Sequence, residues 1–491
     1  MKNNKTLAVL LTLLIFISSC ADFEELRVNP NEPTSVAPSL IFTNFLPEAS
    51  GPFSGTYMTT QHHHSVGGDS GPVLYVNYRG YFYHKDIQSL EFMVEEAEKI
   101  GARGYAPLAK FLKVHTYFEM VRRMGDIPLS EALHLEEGII YPVYDSQKTI
   151  FIQLLEWLDE ANSEIDPLVK ESLTVAGDFY YGGDLSMWQR VINSYTLRIL
   201  IELSKKADDS ELNIKGRFAN IVNNPDKYPL FRGNEDDMKY EHWDEDGFRF
   251  GLNPDSPSAV DRTVVGGLFV DLLKANKDPR LFMVADPTPA ALAADPNAAS
   301  DFDAYAGPYV STALGELQSA KNAGLFSRVK NSRYINYVGI PNVFLSYVEQ
   351  EFTLAEAANR GWIPNAKMHY DNAVTASMEF NGVAPENIAG FLNGLGAYIG
   401  DNIDGLEQIL TQKYIGFFQN SGWEAFFNQR RTGVPEFAVS SENTPREKIP
   451  VRWMYPTVER DTDNPLNYRE ALVRQFGSEV DDVDAVLWHM K

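Results

Sequence analysis

Residues 107–129 read PLAKFLKVHTYFEMVRRMGDIPL, and their spacing decides the fold. Leu108, Phe111, Val114, Phe118 and Val121 recur every three or four positions, the period that lines one face of an α-helix, and Gly125-Asp126-Ile127-Pro128 ends the run. The pattern returns downstream. Asp145 and Ser146 can cap a second helix, with Phe151, Leu154, Leu155, Leu158 and Ile165 on its buried side. A third begins behind Asp184 and runs through Trp188, Val191, Ile192, Tyr195 and Ile199. Phe344, Tyr347, Val348, Ala355 and Ala358 mark a fourth, residues 365–380 a fifth and 406–418 a sixth. The expected fold class is mostly α, with helical hairpins in two sets, about residues 104–206 and 342–420. Paired helices of this size can stack as a superhelix.

Between the sets, about residues 207–340, the period is lost. Asn223-Asn224-Pro225-Asp226 and Asn253-Pro254-Asp255 are turn chemistry, and the stretch from Tyr334 to Val338 alternates in a way that could make a small hairpin. A long irregular segment inside a compact protein is more often functional than idle. The expectation is therefore one helical domain over 20–491 with a loop-rich insertion.

Residues 1–19 read as a signal peptide. Lys2 and Lys5 precede an apolar run from Leu7 to Ile17 that is short for a membrane span, and Ile17-Ser18-Ser19-Cys20 closes it. Cys20 is the only cysteine in 491 residues, so it is expected to be the lipidated first residue of a mature lipoprotein. At about 0.8 kcal/mol per buried methylene, two or three acyl chains hold a protein to a membrane without crossing it. No disulfide can then staple the fold, and stability must come from a large core.

The chain carries 43 basic and 67 acidic residues, a net charge of −24, and loss of residues 1–19 would remove two lysines and no acid. Such a surface argues against nucleic acid or anionic lipid as a partner for the body, because phosphate binding needs a basic face. Some of the 24 Tyr, 29 Phe and 7 Trp must be core, and so many also leave rings for a stacking surface.

Enzymatic constellations are weak. Gly67-Gly68-Asp69-Ser70-Gly71-Pro72 is similar to a serine protease nucleophile loop, with His62, His63 and His64 upstream, but that chemistry belongs to an all-β fold, and a glycine-permitted turn is expected instead. The three histidines read as a polar loop open to a binding partner; alternate residues of an extended strand face opposite ways, so a metal would need ligands from elsewhere. No transition-metal site and no cofactor are expected. So acidic a chain could hold a structural calcium, yet no EF-hand spacing assigns its ligands. A glycoside hydrolase needs two carboxylates about 5 to 10 Å apart, which abundance alone cannot identify.

The ordered motifs resemble one family. Leu108 to Leu133, with Tyr117-Phe118, Gly125-Asp126-Ile127-Pro128-Leu129 and Glu131-Ala132-Leu133, is similar to the first helical repeat of the SusD/RagB nutrient-binding outer-membrane lipoproteins. Pro142-Val143-Tyr144-Asp145, Trp188 with Leu197-Arg198, and Ala355-Glu356-Ala357 with Arg360-Gly361 follow in order. Gln412-Lys413-Tyr414, Glu424-Ala425-Phe426-Phe427, Arg430-Arg431-Thr432-Gly433 and Ile449-Pro450-Val451-Arg452 with Tyr455-Pro456 and Glu459 resemble its closing segment. Asn29-Pro30-Asn31-Glu32-Pro33-Thr34 points to the subgroup less like the starch-binding founder, and Asp22, Glu24 and Glu25 resemble a cell-surface export signal of Bacteroidetes lipoproteins. The resemblance implies tetratricopeptide-like helical pairs under an irregular ligand-facing half. It also implies a lid, anchored at the outer membrane, over a TonB-dependent (SusC-like) transporter, capturing oligosaccharide or peptide without breaking a bond. A surface hydrolase and a structural or adhesive lipoprotein are the alternatives.

Sugar rings stack on exposed aromatics while polar side chains take the hydroxyls. Two segments have that composition. The first contributes Tyr75, Asn77, Tyr78 and Tyr81, and the second, His242-Trp243-Asp244 with its neighbours, contributes Trp243, Phe248 and Phe250. Trp423, Trp453 and the Arg430-Arg431 pair are expected to serve the scaffold.

Overall fold

The computed structural model describes residues 35–48, 51, 53–67, 75, 78–440 and 448–491. Cys20, Asn77 and residues 68–72 lie outside that range, and with them the signal peptide, the lipidation site and most of the glycine turn.

The stripe read in residues 107–129 becomes helix α3, Tyr105–Met124, after α1, Pro38–Phe45, and α2, His84–Lys99. Leu108, Phe111, Val114, Phe118 and Val121 are all 0% exposed. Gly125 ends α3 at φ +106, a backbone conformation that a side chain disfavours. Helix α4, Gln147–Lys170, starts where the Ser146 hydroxyl accepts from the Thr149 N–H, and α5, Leu185–Glu202, where Asp184 accepts from Ser186. The second set comprises α6, Tyr347–Asn359, α7, Ala366–Phe380, α8, Ile403–Gly416, and α9, Glu424–Thr432, with α10, Pro465–Phe476, near the chain end. Helix α3 packs on α4 and α4 on α5; α6 packs on both α7 and α8. The chain is mostly helical, as its periodicity requires.

Helix α5 joins the two sets and is buried almost all round. Its apolar residues enter the main core, where Trp188 and Tyr195 meet Phe111 edge-on. Its polar residues are satisfied across the seam: the Ser194 hydroxyl donates to Gln350 Oε1 at 2.6 Å, and Arg198 is bidentate on Glu349. Arg122 of α3 donates to both carboxylate oxygens of Glu424, Glu202 pairs with Arg430, and Glu356 takes two bonds from Arg431 at 2.5 and 2.8 Å. Buried charges are tolerable only when paired in this way. Arg430 and Arg431 therefore lock scaffold carboxylates.

Two features depart from the sequence reading. Phe344 lies in a strand, and α6 begins only at Tyr347, because Ser346 caps it by accepting from Glu349. Tyr334–Val338 makes no hairpin: Asn331–Tyr334 is a helical turn, Tyr334 is buried, and the Asn336 side chain accepts from the N–H groups of Val338 and Gly339 to form a turn.

The strands are four short ones among the described residues. β1, His63–Ser65, pairs antiparallel with β3, Thr263–Val265, and β2, Met238–Tyr240, with β4, Asn342–Leu345. The intervening segment holds short helices such as Gly267–Ala275 and Leu314–Asn322. His62, His63 and His64 are buried, at 0, 3 and 2% exposure, so they are no ligand-facing loop. His62 stacks on Tyr414 at 4.2 Å and bonds Thr60 and the Tyr414 carbonyl, which accounts for both ring nitrogens. No group of three or more metal-ligating side chains is present among the described residues.

Candidate functional site

The first aromatic segment is strapped to the C-terminal part of the chain. Gly80 N–H donates to the Met454 carbonyl at 2.7 Å and Met454 N–H to that of Tyr78 at 2.8 Å. This ladder sorts the tyrosines. Tyr75 is 3% exposed; its hydroxyl accepts from Gln61 and donates to the Thr59 carbonyl, and burial pushes its pKa well up. Tyr78 stacks on Trp453 at 5.0 Å and meets Trp423 edge-on. Tyr81 is 67% exposed. Of the expected contacts on this segment that are described, Tyr75 is a core residue, since its ring and hydroxyl are both used internally, Tyr78 is half-buried in a ring stack, and Tyr81 stands free.

Next to this strap a cavity of about 340 Å³ opens between α2, α3 and the turn before α9. Phe45, Tyr83, Phe344 and Trp423 supply ring faces; Glu119, Arg122, Arg123 and His115 supply charge and hydrogen bonds. Burial raises the Glu119 carboxyl, but the guanidinium groups of Arg122 and Arg123 outweigh that and hold it at about 2, so it is ionised. Burial lowers His115 to about 4, which keeps the imidazole neutral, with Nδ1 bonded to the Tyr195 hydroxyl at 2.8 Å.

The second segment forms a different surface. Trp243 and Phe248 stack at 4.5 Å with 16° between the rings and remain 42 and 40% exposed. A short turn sets them: Trp243 N–H donates to the Phe248 carbonyl, Phe248 N–H to that of Glu245, and Gly247 takes φ +87. Tyr240, at the end of β2, backs Trp243 at 5.8 Å. Trp243 Nε1 donates to Glu245, and Arg249 pairs with Asp244 while lying over Tyr337. Phe250 does not join this surface. It is 1% exposed, wedged between Phe53 and His242, and its N–H is held by the Tyr337 carbonyl.

Sequence reasoning missed a ring at this place. Phe179 is 43% exposed and lies edge-on to Tyr240 at 5.9 Å. It is carried by a turn in which Asp178 accepts from the N–H groups of Tyr180, Tyr181 and Gly183 and from Trp188 Nε1. Three consecutive aromatics, Phe179-Tyr180-Tyr181, before two glycines were the available signal. Phe179 and the Trp243–Phe248 stack thus both border Tyr240, and these exposed rings make up the candidate aromatic platform, with carboxylates and a guanidinium beside the stack. Ring faces bordered by hydrogen-bonding side chains suit a polyhydroxylated ring, whose C–H faces are apolar and whose rim is polar.

A helical-pair scaffold thus carries an irregular, ring-bearing surface. The chain belongs to the SusD-like family, described as starch-binding and associating with the outer membrane, whose model matches residues 72–456. A SusD homologue from Bacteroides fragilis has the same fold at 30% identity and a TM-score of 0.84, covering 93% of this chain and all of its own. A second from that organism gives 27% and 0.79 over the same shares. A chitin-binding protein shares the fold at 24% identity and a TM-score of 0.71, over 92% of this chain and 99% of its own. No protein in the curated set matches the chain.

Proposed function

We propose that this chain is a lipid-anchored protein on the outer face of the outer membrane that captures an oligosaccharide and hands it to a TonB-dependent transporter. The observation that carries the reading is the Trp243–Phe248 stack, two large rings held parallel and about two-fifths exposed in a chain whose other rings are mostly in the core. Holding apolar rings open to water has a cost that ligand contact would offset. Cys20 supplies the anchor and the acidic body supplies solubility at a charged surface. Capture needs no catalytic group, and none is assigned.

The test uses the full-length protein in two measurements. Chitooligosaccharide is the first probe, because a relative of this fold is a chitin-binding protein, followed by starch oligomers and peptides. Trp243→Ala should weaken binding of the recognised probe by about tenfold or more with the melting temperature unchanged. Purification from native outer membranes in mild detergent should recover a transporter in equal amount. A protein that elutes alone, binds none of the probes and hydrolyses a glycan would turn the reading toward a surface hydrolase; one that elutes alone and binds only host surfaces, toward an adhesin.

A further inference from the structure

Beside the Tyr78–Gly80 strap lies a pocket of about 320 Å³ lined by Arg79, Met454, Arg460, Tyr468, Arg469, Glu479 and Asp481. Three arginines in one pocket stand out on a chain with 24 more acidic than basic residues. Two of the charges there are already neutralised. Arg460 is bidentate on Asp461, and Asp481 is held by the buried Arg452 and by the Tyr455 N–H. Arg79 has no carboxylate hydrogen-bonded to it, although its charge reaches Asp461: one guanidinium nitrogen donates to the Tyr455 carbonyl at 2.7 Å and the other rests 3.8 Å from Met454 Sδ. Arg469 is exposed and has no ion-pair partner among the described residues. The strap fixes Arg79 by its backbone, so the guanidinium is presented with little left to order.

We propose that this pocket is an oxyanion site, with Arg79 and Arg469 as its donors, for the carboxylate or sulfate of an acidic sugar. Planar guanidinium groups match the paired oxygens of either group. Glu479 also lines the pocket, and its negative charge opposes an anionic ligand there. The sugar part of the assignment rests on the proposed capture function; the anion chemistry does not.

The experiment is calorimetric titration of the full-length protein at low salt with trigalacturonate, with N-acetylglucosamine 6-sulfate and with neutral galactotriose. Binding of either acidic probe, weakening as salt rises, is the expected result, and which probe binds distinguishes carboxylate from sulfate. Arg469→Gln, at an exposed position, should weaken that binding by about tenfold, and Glu479→Gln should strengthen it. Retention of binding by Trp243→Ala separates this site from the aromatic platform. The proposal is overturned if neither acidic probe binds, if galactotriose binds equally well, or if Arg469→Gln leaves the affinity unchanged.

Discussion

Arg198 of α5 and Glu349 of α6 face each other across the seam between the helical sets, with Nε–Oε1 and Nη2–Oε2 distances of 2.6 Å and side-chain exposures of 5 and 3%. The Phe344 carbonyl takes a further bond from Arg198. Removing one partner strands a buried charge, so Glu349→Ala should cost about 3–5 kcal/mol in urea unfolding. Replacing both by apolar residues of similar volume should cost clearly less. A double variant as unstable as the sum of the single ones would refute the pairing.

The fold should be acid-labile, and in two stages. Burial lowers His62 and His63 to about 3 and His115 to about 4, against an ordinary value of 6.5. The unfolded chain therefore binds protons that the folded one refuses as pH falls from about 6.5 toward 4, and stability drops over that window. Glu119 and Glu356 follow: burial raises them, their arginines more than compensate, and both sit at about 2 instead of 4.5, so their contribution is lost between those values. Melting temperatures at pH 7.5, 5.5 and 4 should fall in order, and His115→Gln should flatten the first step. An unchanged slope in that variant would exclude His115 as a contributor.

Asp237 should act in the opposite sense. Burial pushes its carboxyl up to about 7, against the bond from Tyr347 N–H and the attraction of Lys239, with Asp236 and Glu235 adding to the rise. The folded state then resists ionisation from about pH 4 to 7, a penalty that grows as pH rises through that window. Asp237→Asn keeps the acceptor oxygen and should raise the melting temperature at pH 8 while leaving it nearly unaltered at pH 4. Equal effects at both values would rule out a raised carboxyl.

Phe179→Ala should weaken oligosaccharide binding by about 1 kcal/mol with little loss of stability, because its ring stands at the surface. Tyr180→Phe is the control: it keeps the ring that lies 4.5 Å from Phe179 and removes only the hydroxyl that bonds the Pro47 carbonyl, so it should lose stability and keep affinity. Loss of affinity in the control alone would move the binding surface elsewhere.

The scaffold was legible because helical burial is written in a period. Of Asp145 and Ser146, read as possible caps, Ser146 does cap, α5 begins behind Asp184 as expected, and the stripe of α3 is buried without exception. Burial within the aromatic segments carried no such mark. Tyr75 and Tyr81, or Phe248 and Phe250, are alike in type and neighbourhood, and only tertiary contacts from Gln61, Phe53 and Tyr337 put one of each pair inside. Phe179 was hidden for a related reason, since its neighbour Tyr240 is 61 residues away in sequence and reaches it only through the β2–β4 ribbon. Charges such as Arg198 and Glu202 look like a solvated helix face until their partners, more than a hundred residues on, are known.

Those partners also bear on whether the scaffold can be divided. Arrays of helical pairs are ordinarily modular, each unit touching only its neighbours, so that one can be deleted and the rest survives. Here Arg122, Arg198 and Glu202 of the first set each find their counter-ion, Glu424, Glu349 and Arg430, in the second. Expressed alone, either half would have to bury unmatched charge or stay open. The two helical sets are therefore expected to fold together rather than one without the other.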